Sequence, residues 1–221
     1  VCSLAILIVP LLGDVMMVKL FYAPGTCALA PHIVLEWIGQ PYELELVKLG
    51  DPDYARINPQ GKVPAMLDGF GLMTQADAIL KYLAHKHPEA NLGHKGSLQE
   101  EYELNRWLAF FTGDVHPAFY PFFRPGRYFS DDNEAALQQV KTAAYKLIDT
   151  VFTHFDQHLQ DREYVVGDRF TIVDPYAFAM VRWGKLVPKP LSDYPHLSRF
   201  YDRMLQDEGV QRAMSQEGIK G

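Results

Sequence analysis

A lone cysteine in the run FYAPGTCALAPH, residues 21 to 32, is the first place where this chain could do chemistry. A β-rich segment breaks at Pro24-Gly25, Cys27 follows, and Pro31 comes soon after. Proline costs a helix a hydrogen bond except among the first positions, whose N–H groups have no helical partner anyway. A helix is therefore expected to begin at about Cys27 or Ala28, with the thiol at the positive end of its dipole. A helix N-terminus lowers a thiol pKa and favours any sulfur anion held there. The other reading makes Cys27 a small core residue that happens to fall in the turn.

Two further features fit a peptide-like ligand. Val63-Pro64 lies between the turn NPQG and an apolar run, a setting for a cis proline that would leave the Val63 backbone N–H and C=O free to pair. The segment LMTQADA opens a helix, and the N–H groups around Gln75 and Ala76 make a ready carboxylate site. Each is commonplace alone. Together, in this order and within one frame, they are not.

The frame is legible from periodicity. VKLFYA reads as a strand, and CALAPHIVLEWIG as a helix with Leu29, Ile33 and Trp37 at helical spacing and Gly39 as its stop. PYELELVKL alternates like a half-exposed strand, DPDYARI makes a short helix, and KVPAML–DGFG–LM reads as a hairpin. TQADAILKYLAHKHP then places Ala76, Ile79, Leu80 and Leu83 on one face, with Pro88 past its end. The order βαβ then ββα predicts an α/β domain over residues 17–93, a small four-stranded mixed sheet flanked by helices. After the polar, glycine-rich EANLGHKGS, residues 98–221 carry long helical patterns and almost no strand signal, which predicts an all-helical second domain. Thr171-x-x-Asp174 reads as a helix-capping pair.

The chain has 221 residues and a net charge of −6, which argues against nucleic acid or an anionic membrane as partner. Cys2 and Cys27 are its two cysteines, so no disulfide framework is expected and a reducing compartment fits. In residues 1–16 the apolar run from Leu4 to Leu12, interrupted by Pro10, is too short to span a bilayer and lacks the features of a secretory signal. These residues read as a leader outside the fold. His85, His87 and His94 cannot share one helix face, and no metal is expected there. Phe110, Phe111, Phe119, Tyr120, Phe122 and Phe123 read mainly as core, with Arg124, Arg127 and Tyr128 placed to border an apolar pocket.

Residues 17–221 resemble a cytosolic glutathione transferase of the bacterial beta type. The residues that carry the likeness are KLFYAPGTCALAPHIVL, INPQGKVPAML, TQADAILKYLA, DVHPAFYPFF and FTIVDPYAFAMVRW. The resemblance implies a thioredoxin-like N-terminal domain, a helical C-terminal domain, and a cytoplasmic homodimer that binds glutathione in the cleft between its domains, needs no metal, and conjugates the glutathione thiol to small hydrophobic electrophiles in detoxification. Cys27 matches the cysteine facing the glutathione sulfur, and Tyr22 lies beside that site. Val63, next to Pro64, would pair with the cysteinyl part of glutathione. Gln75 and Ala76 would hold the γ-glutamyl carboxylate, and Lys48 the glycyl one. His116, Tyr120 and Trp183 would line the electrophile side. Ala28, Ala109 and Pro117 depart from the residues common at those positions in relatives. Two other activities stay open: disulfide reduction with Cys27 as nucleophile, and glutathione binding without catalysis.

Overall fold

β1, Val18–Tyr22, is the strand on which the first layer is built. Leu20 at its middle is fully buried and faces Leu44 of the parallel β2 (Tyr42–Leu46) and Met66 of the antiparallel β3 (Ala65–Asp68). β4, Gly71–Thr74, closes the hairpin, giving the order β2-β1-β3-β4 in the computed structural model, which describes residues 17–69, 71–129 and 133–220. Residues 1–16, read above as a leader, lie outside the described residues. The parallel pair needs a crossover, supplied by α1, Leu29–Ile38. Gly39 ends α1 with φ 73° and returns its N–H to Leu35 O at 3.0 Å.

α2 spans Pro52–Ile57, where Asp51 accepts from the Asp53 N–H at 2.9 Å and Pro52 starts the turn. α3 spans Ala76–Lys86. Leu20 and Met66 pack with Ile33 and Val34 of α1 and Ile79, Leu80 and Leu83 of α3. Phe21 and Ala65 point to the opposite face, onto Tyr54 of α2. Strand alternation thus divides the sheet between two helical covers.

The second layer is all helix: α4 (Leu98–Phe110), α5 (His116–Phe123), α6 (Glu134–His158), α7 (Val173–Val181), α8 (Pro195–Gln206) and α9 (Glu208–Gln216). The run 98–123 is two helices joined by a π-helical turn, Phe111–Val115, rather than one long helix. α7 is buried on every side, as a sequence apolar at every position but Asp174 and the Tyr176 hydroxyl requires. It packs on α1 and so joins the two layers into one core.

α9 buries Val210, Ala213 and Met214 at helical spacing although Gly209, a poor helix former, sits in its first turn. The structure gives the reason: a Cβ there would come within 2.6 Å of the Trp37 ring, so close packing on α1 selects glycine over a better helix former. Among the described residues no helix is long and apolar enough to cross a membrane.

Asp174 caps α7 as its spacing implied. One carboxylate oxygen accepts from the Thr171 N–H at 2.8 Å and the Thr171 hydroxyl at 3.0 Å, and the other from the Val165 N–H at 3.0 Å. Burial pushes its carboxyl up to about 6, against these hydrogen bonds, which favour the charged form. Asp174→Ala orphans three buried donors and is expected to cost about 2–4 kcal/mol in urea unfolding. A loss no larger than that of an exposed control substitution would contradict the capping role.

Candidate functional site

Between the layers lies a cleft of about 550 Å³. Its sheet side is formed by the turn Pro24–Cys27 and the segment Gln60–Val63. Its helical side is formed by His116, Tyr120 and Phe123 of α5 with Trp183 and Leu186 beyond α7.

The turn into α1 is fixed from both directions. The Thr26 hydroxyl donates to Ala23 O at 2.7 Å and accepts from the Ala28 N–H at 3.3 Å. Gly25, at φ 69°, gives its N–H to Glu217 at 2.9 Å and takes the Trp183 indole N–H on its carbonyl at 2.8 Å. Glu217, just past α9, has a fully buried side chain whose other oxygen lies 3.1 Å from Nδ1 of His32, itself fully buried on α1.

Cys27 is buried, and its Sγ lies 3.6 Å from Val63 O, so the thiol donates to that carbonyl. Burial pushes the thiol up to about 12. This reverses the lowering that a helix N-terminus leads one to expect. α1 begins at Leu29, and its first N–H groups are already occupied: Leu29 N–H bonds Thr26 O and Ala30 N–H bonds Cys27 O. The dipole remains, but burial in the cleft wall outweighs it.

Val63-Pro64 is a cis peptide. The preceding turn is held by the Tyr54 hydroxyl and the Asn58 amide, both donating to Lys62 O at 2.7 Å. The Val63 N–H has no partner among the described residues. Thr74 pairs with Ala65, which sets Gln75 beside Pro64 in the hairpin. Gln75 adopts φ 73° and ψ 118°, a conformation that non-glycine residues rarely take. It holds the start of α3 so that Ile79 N–H is the first to reach a helical partner, Gln75 O, leaving the N–H groups of residues 76–78 for a ligand.

On the far wall, the His116 ring lies 4.8 Å from Tyr120 and 5.1 Å from Trp183, centroid to centroid. Burial, with the Lys62 charge adding to it, lowers its pKa to about 4, so the imidazole is neutral at pH 7.

Two family models match the chain: "Glutathione S-transferase, N-terminal domain" over residues 28–91 and "Glutathione S-transferase, C-terminal domain" over 102–208. A glutathione S-transferase of Xanthomonas campestris pv. campestris is 40% identical over 204 residues, 91% of this chain and 99% of that protein. The chain belongs to the glutathione S-transferase family. Solved relatives include the bacterial beta-class transferase of Sphingomonas chungbukensis, with a TM-score of 0.81, 36% identity, and 91% and 100% of the two chains covered. A sphingomonad transferase complexed with glutathione gives a TM-score of 0.81 at 32% identity, covering 91% and 100%.

In this transferase, Cys27, Val63, His116, Tyr120 and Trp183 border one cleft, and Pro64, Gln75 and Ala76 adjoin it through the hairpin. Tyr22 and Lys48 are not cleft residues: Tyr22 is buried with its ring 6.1 Å from His32, and Lys48 is exposed. Lys62 is the lysine that enters the cleft from its sheet side, signalled in the sequence only by its place next to Val63. Glu217 carried no sequence signal, being 192 positions from the glycine it binds. His85 and His94 meet edge to face at 6.4 Å, and no three His, Cys, Asp or Glu side chains converge as a metal site among the described residues.

Two outcomes follow from this geometry. Because the unfolded chain protonates His116 near pH 6.5 and the fold only near 4, stability is present above about pH 6.5 and lost as pH falls toward 4. His116→Asn should flatten that part of the stability–pH curve, and an unchanged slope would contradict the depressed pKa. Glu217→Ala strips the Gly25 N–H of its partner and should cost about 1–3 kcal/mol in urea unfolding. Glu217→Gln, which keeps an acceptor oxygen, should lose less; equal and negligible losses would show that the contact is dispensable.

Proposed function

We propose that this transferase activates the thiol of bound glutathione and directs it at the carbon of a small hydrophobic electrophile, clearing reactive compounds from a reducing cytoplasm as a homodimer. The observation that carries the reading is the state of Cys27. Its buried thiol is a hydrogen-bond donor at neutral pH and a poor nucleophile. The attacking sulfur is then the ligand's own.

A free thiol with a pKa of about 8.5 is only a few per cent ionised at pH 7. Lowering that value by about two units takes roughly 2.7 kcal/mol of preferential stabilisation of the anion. A Cys27 S–H turned from Val63 O to the ligand sulfur, the backbone N–H of Cys27 and the charge of Lys62 are the sources at hand. The Val63 N–H would pair with the cysteinyl carbonyl of glutathione, and the open start of α3 would take the γ-glutamyl carboxylate. Tyr120, Phe123 and Trp183 would hold the electrophile, and proximity does the rest.

Neutral Cys27 is a helper on this reading, so Cys27→Ala should keep a measurable share of aryl-halide conjugation while losing any disulfide reduction. If Cys27→Ala abolished both activities with the fold intact, Cys27 would be the nucleophile instead. Gln75→Ala should weaken glutathione binding by about 1–3 kcal/mol in calorimetry, as loss of a hydrogen bond to a charged group does. Unchanged affinity would place the peptide elsewhere.

A further inference from the structure

The chain carries 27 acidic residues against 21 lysines and arginines, yet every Lys, Arg, Asp or Glu side chain lining the cleft is a cation. They are Lys62, Arg124, Arg127, Arg182, Lys185 and Lys220. None of the six has a carboxylate within ion-pair distance among the described residues, although exposed lysines and arginines elsewhere pair readily, as Lys189 does with Asp149 and Arg212 with Glu36. Five of them belong to the helical layer. Arg124 and Arg127 follow α5, Arg182 and Lys185 follow α7, and Lys220 follows α9.

A cation at a helix C-terminus answers the helix dipole, which accounts for single residues such as Arg124. It does not account for five such side chains from three helix ends facing one space without a counter-charge. Arg182 adds a second observation. Its guanidinium packs against Gly25, where a Cβ would lie 2.7 Å from its terminal nitrogen, and its Nε is buried with no hydrogen-bond partner among the described residues. Arg127 is close enough for its charge to be felt at Tyr120, on the same wall.

We propose that the acceptor substrate of this transferase is an anionic aromatic electrophile, its ring against Tyr120, Phe123 and Trp183 and its carboxylate or sulfonate held by the helical-side cations, Arg124 and Arg127 foremost. This rests on the transferase reading above and names the substrate class for it. In the reaction, the glutathione thiolate forms a carbon–sulfur bond at a halogen-bearing ring carbon. The halide leaves with its bonding pair, and the thiol proton has already gone to solvent. The substrate's anionic group takes no part in bond making; it positions the ring and selects for it. Partly solvated charge pairs of this kind are worth roughly tenfold in rate or affinity and are screened by salt.

The test pairs 4-chloro-3,5-dinitrobenzoate with its carboxamide, each rate divided by that of the uncatalysed reaction with glutathione. The benzoate is expected to lead in kcat/KM by about tenfold at low salt, and the lead should shrink as sodium chloride is raised. Arg124→Gln with Arg127→Gln, both at exposed positions, should bring the ratio close to one. A carboxamide used as well as the benzoate, or a ratio untouched by salt and by both substitutions, would overturn the proposal. Calorimetry of the two S-aryl glutathione conjugates separates the two levels of the argument. If neither halide is turned over, yet the carboxylate conjugate binds about tenfold more tightly than the amide, the charge selection holds and the transferase reading fails. If the conjugates bind equally, the charge selection fails whatever the catalysis.

Discussion

The site depends on how the helical layer grips one glycine of the sheet layer. Gly25 gives its N–H to Glu217 and its carbonyl to Trp183, so the turn into α1 is held at both polar groups by residues from the far end of the chain. The positive φ of Gly25 permits this turn, and a Cβ there would displace the end of the Arg182 side chain. Cys27 sits two residues on. Its depth, its bond to Val63 and its distance from the aromatic wall all follow from where this turn is held. A cleft between two layers keeps its shape only if the layers are tied across it, and here the tie passes through the backbone beside the reactive position.

Burial then decides the charge states. Cys27 and His116 both stay neutral at pH 7, the thiol because its anion would be poorly solvated and the imidazole because its cation would be. A neutral thiol can donate to a ligand sulfur without competing as a second anion. The fixed positive charge sits nearer solvent, on lysine and arginine side chains around the mouth. The cleft is thus suited to a negative ligand without itself bearing an anion at the reacting position.

Local features of this arrangement were legible in the sequence, and long-range ones were not. Pro31 placed the start of α1 to within two residues, since few helix positions tolerate it, and Thr171 with Asp174 marked the cap of α7 by spacing alone. The hairpin of β3 and β4 followed from alternation and turn residues. Glu217 could not be foreseen, because nothing local distinguishes a carboxylate that will be buried on His32 from one left in water. Lys62 and Lys48 are equally plausible by type; the turn that Tyr54 and Asn58 fix at Lys62 decides which faces the cleft. The thiol pKa is not legible in the sequence for the same kind of reason. Its sign depended on burial by the opposite layer and on which carbonyls occupied the first N–H groups of α1.

The central claim is that Cys27 stays protonated while the ligand's thiol ionises, and thiolate absorbance near 240 nm tests it directly. The protein would be titrated from pH 5 to 9 alone and saturated with glutathione, with Cys27→Ala run in parallel. The expected result is no Cys27-dependent thiolate band in the free protein across that range. In the complex, a band belonging to glutathione should appear with its midpoint about two units below that of the free thiol. A Cys27-dependent band already present in the free protein at neutral pH, with no further ionisation when glutathione binds, would contradict the account.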